Sequence, residues 1–487
     1  MAELRLSSER IPAERKKLRL WALIGVSVAT VGPTMAMSGN TQGIVGSVGK
    51  GLPVVFIFGL IGVALIALAF VVLTRYTNHA GSAYGIVGKI IGPRAGFFSG
   101  FAMAGAYITL AICTCSIFAA STNSFLSQLQ GTDNPHQLPW IVPVLAVVAG
   151  SALLAGRDIR FIATVLMWFQ AIGVVAMIVL AVTIFAKGGA PSTGFDFTVF
   201  TFDAVTPSAA LAGVVIAFLS WAGFEACVAL GEEGDNPRRN IPVALVATVA
   251  LLGLLYLTVV FAQVIGFGTD AEGLAALGAS GNTLGELSRT YLGTLFSLVI
   301  VFTAAMSAFA ANLACASAAG RLLFAFSRDG FGPKVLSRAD SAGGPRNAVM
   351  AVIAICLVVN TVSWATKWPN MGTGNPAIDS YFFFATVGSV ALIVCYLMVE
   401  LAAIRLVVSR LRSRTSGPAS GLVFCVALLT AGAIVIVVVL WQNMKSQPEI
   451  LGSPAYLAIA WCAVGLAISM GAVKLSRRIG QTMTAER

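Results

Sequence analysis

The sequence predicts an all-α membrane protein with twelve transmembrane helices, and three observations carry that prediction. Of 487 residues, 57% are hydrophobic and only 10% are charged, where soluble domains carry about 25% charged residues. Water could not solvate such a surface, so lipid must surround most of the chain. Twelve apolar runs then approach the ~20 residues that cross a bilayer. Finally, the basic residues fall almost entirely on one side of those runs. A cytosolic enzyme, a disordered protein and a secreted disulfide scaffold are excluded. The 50 glycines and 18 prolines are ordinary for transmembrane helices.

The spans are expected at 19–47, 53–74, 93–128, 138–155, 159–186, 208–231, 242–268, 291–327, 346–365, 379–409, 420–441 and 454–474. With the N-terminus in the cytoplasm, 26 of the 31 lysines and arginines lie inside, as the positive-inside rule requires. Only Lys50, Lys187, Arg289, Lys367 and Lys445 lie outside. A missed or invented span would scramble this ratio, so both termini are expected in the cytoplasm and the chain is read as a multi-pass protein of the cytoplasmic membrane. Arg15, Lys16 and Lys17 lead into an apolar run too long for a signal peptide.

No segment between spans exceeds roughly thirty residues, short of the ~50 a soluble domain needs. An ATPase module has no room, and the glycines before Lys50 and Lys89 lack the rest of a phosphate-binding loop. Energy must come from an ion gradient, from exchange or from the substrate gradient. The net charge of +11 invites a nucleic-acid reading, but the basic residues sit in short tufts and form no stripe. All eight cysteines fall in apolar stretches and read as reduced, buried thiols. The two histidines, His79 and His136, make no metal pattern with them. No metal, cofactor, catalytic residue or nucleic-acid partner is expected.

Two spans look interrupted. The first reads Val31-Gly32-Pro33-Thr34-Met35-Ala36-Met37-Ser38-Gly39-Asn40, and the sixth reads Phe218-Leu219-Ser220-Trp221-Ala222-Gly223-Phe224-Glu225. Five spans separate them, and an odd number inverts the topology. Unwound backbone in lipid costs several kcal/mol per unpaired group, so it persists only where it lines a cavity. Matching interruptions in two halves point to the binding site of a secondary transporter. Against this, Pro33 reads as a simple kink, and Gly96/Gly100 and Gly39/Gly43 read equally well as helix-packing pairs.

At these residues the chain resembles the amino acid–polyamine–organocation transporter family. Gly81-Ser82-Ala83-Tyr84 and Gly92-Pro93-Arg94-Ala95-Gly96-Phe97 are similar to its loop and third-helix entry. The match is strongest at Gly223-Phe224-Glu225 followed by Glu232-Glu233-Gly234-Asp235-Asn236-Pro237-Arg238-Arg239-Asn240-Ile241-Pro242. Ala311-Asn312, Arg321-Leu322-Leu323-Phe324, Arg328-Asp329-Gly330 and Pro333 are similar to its eighth-helix signature. The resemblance implies a LeuT-type fold with broken helices 1 and 6. A ten-helix core at 19–410 would hold inverted repeats at 19–186 and 208–409, followed by two peripheral helices in 411–474. Segments 1–18 and 475–487 would be cytoplasmic tails.

The resemblance also implies where substrate sits. Amides of the first break face a carboxylate, which assigns Gly32, Thr34 and Met35. Carbonyls of the sixth-helix break accept from an amine, which assigns Phe218, Ser220 and Trp221, with Gly223 at the break. Helix-end partial charges give the same assignment. Trp221 or Phe218 is expected to close the external side.

Glu225 is the one acidic residue well inside the sixth span, and an intramembrane charge marks a functional site by default. It reads as a proton acceptor, as a ligand for a substrate ammonium, or as a structural cap of the broken helix. Some proton-coupled family members carry a lysine near Gln170, and no lysine lies between Arg160 and Lys187. Ser307 and Asn312 are candidates for a coupling or substrate site, or for interhelical hydrogen bonding. Tyr107 reads as pocket lining or as packing. The Glu232–Arg239 loop reads as an inner gate or as a solvated turn.

The leading function is secondary transport of an amino acid, by symport or by exchange, with a proton or sodium as the candidate coupling ion. The alternative is a carrier or exchanger of polyamines or other small amines, which would need more pocket carboxylates than Glu225 supplies. No acidic pair or histidine lies in the spans with the spacing an intramembrane enzyme needs. Channel-like filter loops and charge rings are absent from the sequence.

Overall fold

A computed structural model describes residues 18–76, 82–131, 137–155, 159–201, 205–230, 234–338, 344–413, 419–445 and 453–471. Both terminal tails, Gly81 and the pair Glu232-Glu233 lie outside the described residues. Among those described, every regular element is helical, apart from one backbone bridge between Leu18 and Gly234.

Helices occupy all twelve expected intervals. The first span is α1 (Leu20–Val31) and α2 (Pro33–Val48), and the second is α3 (Leu52–Tyr76). A short α4 (Ser82–Ile90) precedes α5 (Pro93–Gln130), α6 (Ile141–Leu154) and α7 (Ile159–Ala186), the third to fifth spans. The sixth is α8 (Pro207–Leu219) continued by a 3₁₀ stretch, Phe224–Leu230. Then come α9 (Pro237–Phe267), α10 (Ala271–Ala279), α11 (Thr283–Leu292) and α12 (Thr294–Arg328). The chain ends with α13 (Arg346–Thr366), α14 (Pro376–Ser413), α15 (Ala419–Lys445) and α16 (Pro454–Gly471).

Nine of these helices are long and apolar enough to cross a bilayer, or ten with the bent pair formed by α8 and Phe224–Leu230. Two facts connect that number to twelve. The 14 residues of α6 are a short span. The run Leu20–Tyr76 has 57 residues, about 85 Å at 1.5 Å per residue, more than twice a ~30 Å hydrocarbon core. Contacts along α8 demonstrate that it turns back. Gly213 lies against Ile44, Val48 and Val55, whereas Asn40 of α2 meets Ser220 and Gly59 of α3 meets Ala217 and Trp221. Moving along α8, α2 is therefore traversed backwards and α3 forwards, a hairpin closed at Gly49–Gly51.

Three boundaries differ from the sequence reading. The seventh helix starts five residues early because Pro237 sits at its first turn, where a missing N–H costs nothing. Pro242 lies inside it. The stretch between the seventh and eighth spans holds α10 and α11, each begun by a side-chain cap: Asp270 accepts from the Gly273 amide and Asn282 from the Gly285 amide. Gly293, at φ 90°, separates α11 from α12.

The long α5 packs along α12 and α14, which places these three helices at the centre of the bundle. In their most apolar stretches α5 and α14 are 78% buried, but α15 is only 22% buried. Val423, Phe424, Ile434, Val437 and Trp441 project from α15 uncovered, as expected of a helix at the lipid boundary.

Candidate functional site

The first interruption is narrower than the sequence suggests: only Gly32 leaves the helix. It adopts the left-handed conformation (φ 66°, ψ 62°) and its N–H closes α1 on the Val28 carbonyl at 3.1 Å. Glycine is the residue that takes this conformation without steric cost. Pro33 then opens α2 with its φ pre-set and no N–H to leave stranded. A helix C-terminus and a fresh N-terminus thus lie one residue apart inside the protein. The amides of the first turn of α2 have no helical acceptors; that of Met35 donates to Ser307 Oγ at 3.4 Å.

The sixth helix opens more gradually. After Leu219 the chain tightens into i→i+3 bonds of 2.9–3.0 Å, from Ser220 N–H to Ala217 through Phe224 N–H to Trp221. Gly223, at φ 99°, breaks the progression. The carbonyls of Ser220 and Ala222 accept none of these bonds.

The two breaks lie side by side and antiparallel. Asn40 Nδ2 donates to Ser220 Oγ at 2.8 Å, and the Cys227 amide donates to Ser27 Oγ at 3.2 Å. Gly223 packs so closely on Thr30 that a Cβ there would fall 2.7 Å from Thr30 Cγ2. Between them is a small cavity of about 20 Å³, room for a water molecule, lined by residues of α1, α2, α5, α8, α12 and α14, together with Ala222. Thr30, Met35 and Asn40 line one wall, Leu219 and Ala222 a second, and Cys113, Cys315 and Tyr381 the rest. No lining residue carries a charge.

Of the residues singled out from sequence, Met35 lines this cavity. Gly32 borders it through Ala311 and Ser307, and Ser220 reaches it through Asn40, whose Oδ1 accepts from Tyr381 at 2.5 Å. Thr34 is buried with an unpartnered Oγ1, tucked against Gly173 of α7. Gln170 accepts from Ser307 Oγ at 2.9 Å and leaves its Nε2 buried and unpartnered. Buried polar atoms without partners are uncommon, and here Thr34 and Gln170 both lie beside the first break.

The aromatic gate expected of Trp221 and Phe218 is not formed by these side chains. Trp221 is 0% exposed, its ring 5.8 Å from Phe56 of α3 and 5.0 Å from Tyr256 of α9. Phe218 points at Gly62 of α3. At the end of α8 the cavity face belongs to the residue after each of them, Leu219 and Ala222, while glycines 59 and 62 make α3 a flat seat for large rings. Asn312 ties three helices together: Nδ2 donates to the Ala111 carbonyl at 2.7 Å and Oδ1 accepts from Ser151 at 2.8 Å. Of the charged loop, the described part pairs with the chain entry, Asp235 N–H donating to the Leu18 carbonyl at 2.8 Å. Asp329 is held by the Tyr84 hydroxyl and by Arg328 at 3.3 Å.

Glu225 is 1% exposed and receives two hydroxyl donors, Tyr107 on Oε1 and Tyr396 on Oε2, each at 2.7 Å. Hydrogen bonds to an ionised acceptor are about twice as strong as neutral ones, so this arrangement suits a carboxylate. The group joins α5 and α14 to the second half of the broken helix. Sequence reasoning missed Asn40, Tyr381 and Tyr396. The signal for Asn40 was an amide about two turns beyond an interruption; the tyrosines stood in apolar runs with nothing to separate them from packing residues.

Known proteins resemble this chain in both sequence and fold. The amino acid permease family profile matches residues 18–468. The branched-chain amino acid permease BcaP of Lactococcus lactis is 25% identical over 331 residues, 64% of this chain and 68% of that protein. The low-affinity putrescine importer PlaP of Escherichia coli is 26% identical over 326 residues, 66% of this chain and 68% of its own. In the crystal structure of MhsT in complex with L-phenylalanine, the protein superposes with a TM-score of 0.59 at 15% identity, covering 86% of this chain and 98% of that one. That likeness shows the fold, which is LeuT-type.

Proposed function

Because this chain belongs to the amino acid permease family, within the amino acid–polyamine–organocation superfamily, we propose that it carries a neutral amino acid across the cytoplasmic membrane by alternating access. It is a transporter and not an enzyme. The observation that carries the substrate reading is the pair of adjoining helix breaks around an uncharged cavity. The N-terminus of α2 presents the Thr34 amide and a partial positive charge to a carboxylate. The free carbonyls of Ser220 and Ala222 accept from an ammonium. Asn40, Tyr381 and Thr114 offer the remaining polar contacts, and Met35, Leu110, Leu219 and Ala311 give an apolar wall for the side chain.

A polyamine is the second reading, favoured by the likeness to a putrescine importer. A diamine brings two positive charges and no carboxylate, yet the lining holds no acid, and Glu225 already accepts from two tyrosines. The zwitterion accounts for the carbonyls of Ser220 and Ala222 and for the positive end of α2; the diamine leaves that helix end without an anion. A proton or sodium ion supplies the coupling. The basic-residue asymmetry supports both termini in the cytoplasm, and the family resemblance supports a core of 19–410 with repeats at 19–186 and 208–409, followed by peripheral helices within 411–474.

Reconstituted protein given a panel of radiolabelled amino acids and diamines tests the reading. Saturable counterflow of apolar amino acids is expected. Counterflow of putrescine alone would favour the polyamine carrier, and unsaturable flux would overturn both.

A further inference from the structure

We propose that a second buried carboxyl, Glu400 on α14, is the proton-binding site of the transport cycle; the proposal rests on the transport reading above. Glu400 is 0% exposed and neither carboxyl oxygen has a hydrogen-bond partner. It lies in a seam between α14, α15 and α3. The seam exists because residue 432 of α15 is glycine: a Cβ there would come 2.6 Å from Glu400 Oε1 and 3.3 Å from Leu65 Cβ of α3. Leu65 is the fourteenth of 25 residues in α3, and Gly432 the fourteenth of 27 in α15. The carboxyl is therefore level with the middle residues of both α3 and α15, inside the apolar stretch of α14.

An unpaired anion at that depth costs several kcal/mol, so in this conformation Glu400 carries a proton. Among the described residues its surroundings supply no counter-charge. On its own helix, Tyr396 is committed to Glu225; on α5, Tyr107 is likewise committed. On α15 the nearest titratable group is Cys425, two turns from Gly432 on the same face, and α16 adds Cys462. On α3 the only charge is Arg75 at the far end, ten residues and about 15 Å along the helix from Leu65. Glu225, bound by Tyr396, and Glu400, one turn beyond Tyr396 on α14, thus have opposite provision: one has two donors and suits an anion, the other has none. Divergent environments of this kind separate the roles of two carboxyls.

The seam is also mechanically tied to the substrate site. Phe218, in the last turn of α8 before the break, lies against Gly62, where a Cβ would meet its ring at 2.6 Å and Val435 of α15 at 3.6 Å. Gly62 and Val435 are each three residues from Leu65 and Gly432, so the ring plugs the seam one turn from Glu400. A movement of α8 about its break that withdraws Phe218 opens this path and lets the proton leave. Occupancy of the cavity and protonation of Glu400 then bias one equilibrium, which is the requirement for coupling.

The test uses the full chain in proteoliposomes with an internal pH dye, comparing wild type, Glu400→Gln and Glu225→Gln. Glutamine has the shape of the protonated acid and cannot release a proton. Wild type is expected to move protons with substrate, whereas Glu400→Gln keeps counterflow within about twofold but loses substrate-driven proton flux by about tenfold or more, in line with ordinary coupling energies. Proton flux retained in Glu400→Gln overturns the proposal. So does counterflow without proton flux in wild type, which leaves the transport reading intact. If no substrate is found, infrared spectra decide: the carbonyl band of a buried carboxylic acid should be present in wild type and lost in Glu400→Gln, and identical spectra overturn the assignment. Should that variant fail to fold, Gly432→Ala, which crowds the acid, must shift the same band; an unmoved band is contrary.

Discussion

Replacing Gly32 with alanine tests whether the single-residue break supports transport. Residue 32 is left-handed at φ 66°, and a residue with a Cβ pays roughly 1–2 kcal/mol to stay there. The new Cβ would also lie 3.3 Å from Met35 Cε, 3.3 Å from Ser307 Oγ and 3.4 Å from Ala311 Cβ. Met35 can swing away, although into the cavity it lines. Ser307 is anchored, because it accepts from the Met35 amide and donates to Gln170. The loss therefore falls on the N-terminus of α2. Gly131 provides the control: it caps α5 at φ 61° with nothing within 4 Å of its built Cβ. Both variants should lose about 1–2 kcal/mol of stability in thermal unfolding of purified protein. Only Gly32→Ala should lose counterflow, by about tenfold for each 1.4 kcal/mol removed from substrate binding. Equal transport in the two variants would refute the reasoning.

Other expectations follow from the same contacts. Tyr107→Phe and Tyr396→Phe each remove one donor from Glu225 and should destabilise by about 1.5–3 kcal/mol, as for hydrogen bonds to charged groups; in a Glu225→Gln background the effect should shrink in a double-mutant cycle. Trp221→Ala empties a site packed by Phe56 and Tyr256, so denaturation should report a loss of about 3–5 kcal/mol with no change in the apparent KM of the folded fraction. In the loop before α8, Thr198, chiefly through its hydroxyl, holds the Asp196 carboxyl down to about 2, with Lys50 at 3.3 Å also lowering it. Its folded value lies below the unfolded value of about 3.9, so the contribution is present above about pH 4 and disappears as pH falls towards 2. Hydrogen-exchange protection of residues 49–51 and 197–200, corrected for the intrinsic rate at each pH, should fall across that window in wild type and be flat in Asp196→Asn.

Much of the architecture was legible because lipid imposes one rule on every span. Apolar runs of bilayer length, with arginines gathered on one side, located all twelve helical intervals. Composition said nothing about α10 and α11, which are short helices of 9 and 10 residues begun by the Asp270 and Asn282 caps. Gly32-Pro33 was readable because a left-handed glycine followed by proline is a strong local signal. The sixth-helix break was readable in place but not in facing. Whether Phe218 or Leu219 meets the cavity depends on the rotation of α8 against glycines 59 and 62 of α3, a tertiary fact. Glu400 was visible as an acid in an apolar run, Leu397-Met398-Val399-Glu400-Leu401; its lack of a partner is visible only with Gly432 and Leu65 beside it.

The central claim is that backbone groups at two helix ends hold the two charges of a zwitterion. Ligand-induced thermal stabilisation of purified protein measures this directly, using a transported amino acid beside its carboxyl-amidated and N-acetylated derivatives. The free amino acid should stabilise the protein while both blocked forms fail to do so. Stabilisation by either blocked form as large as that by the free amino acid would contradict the account.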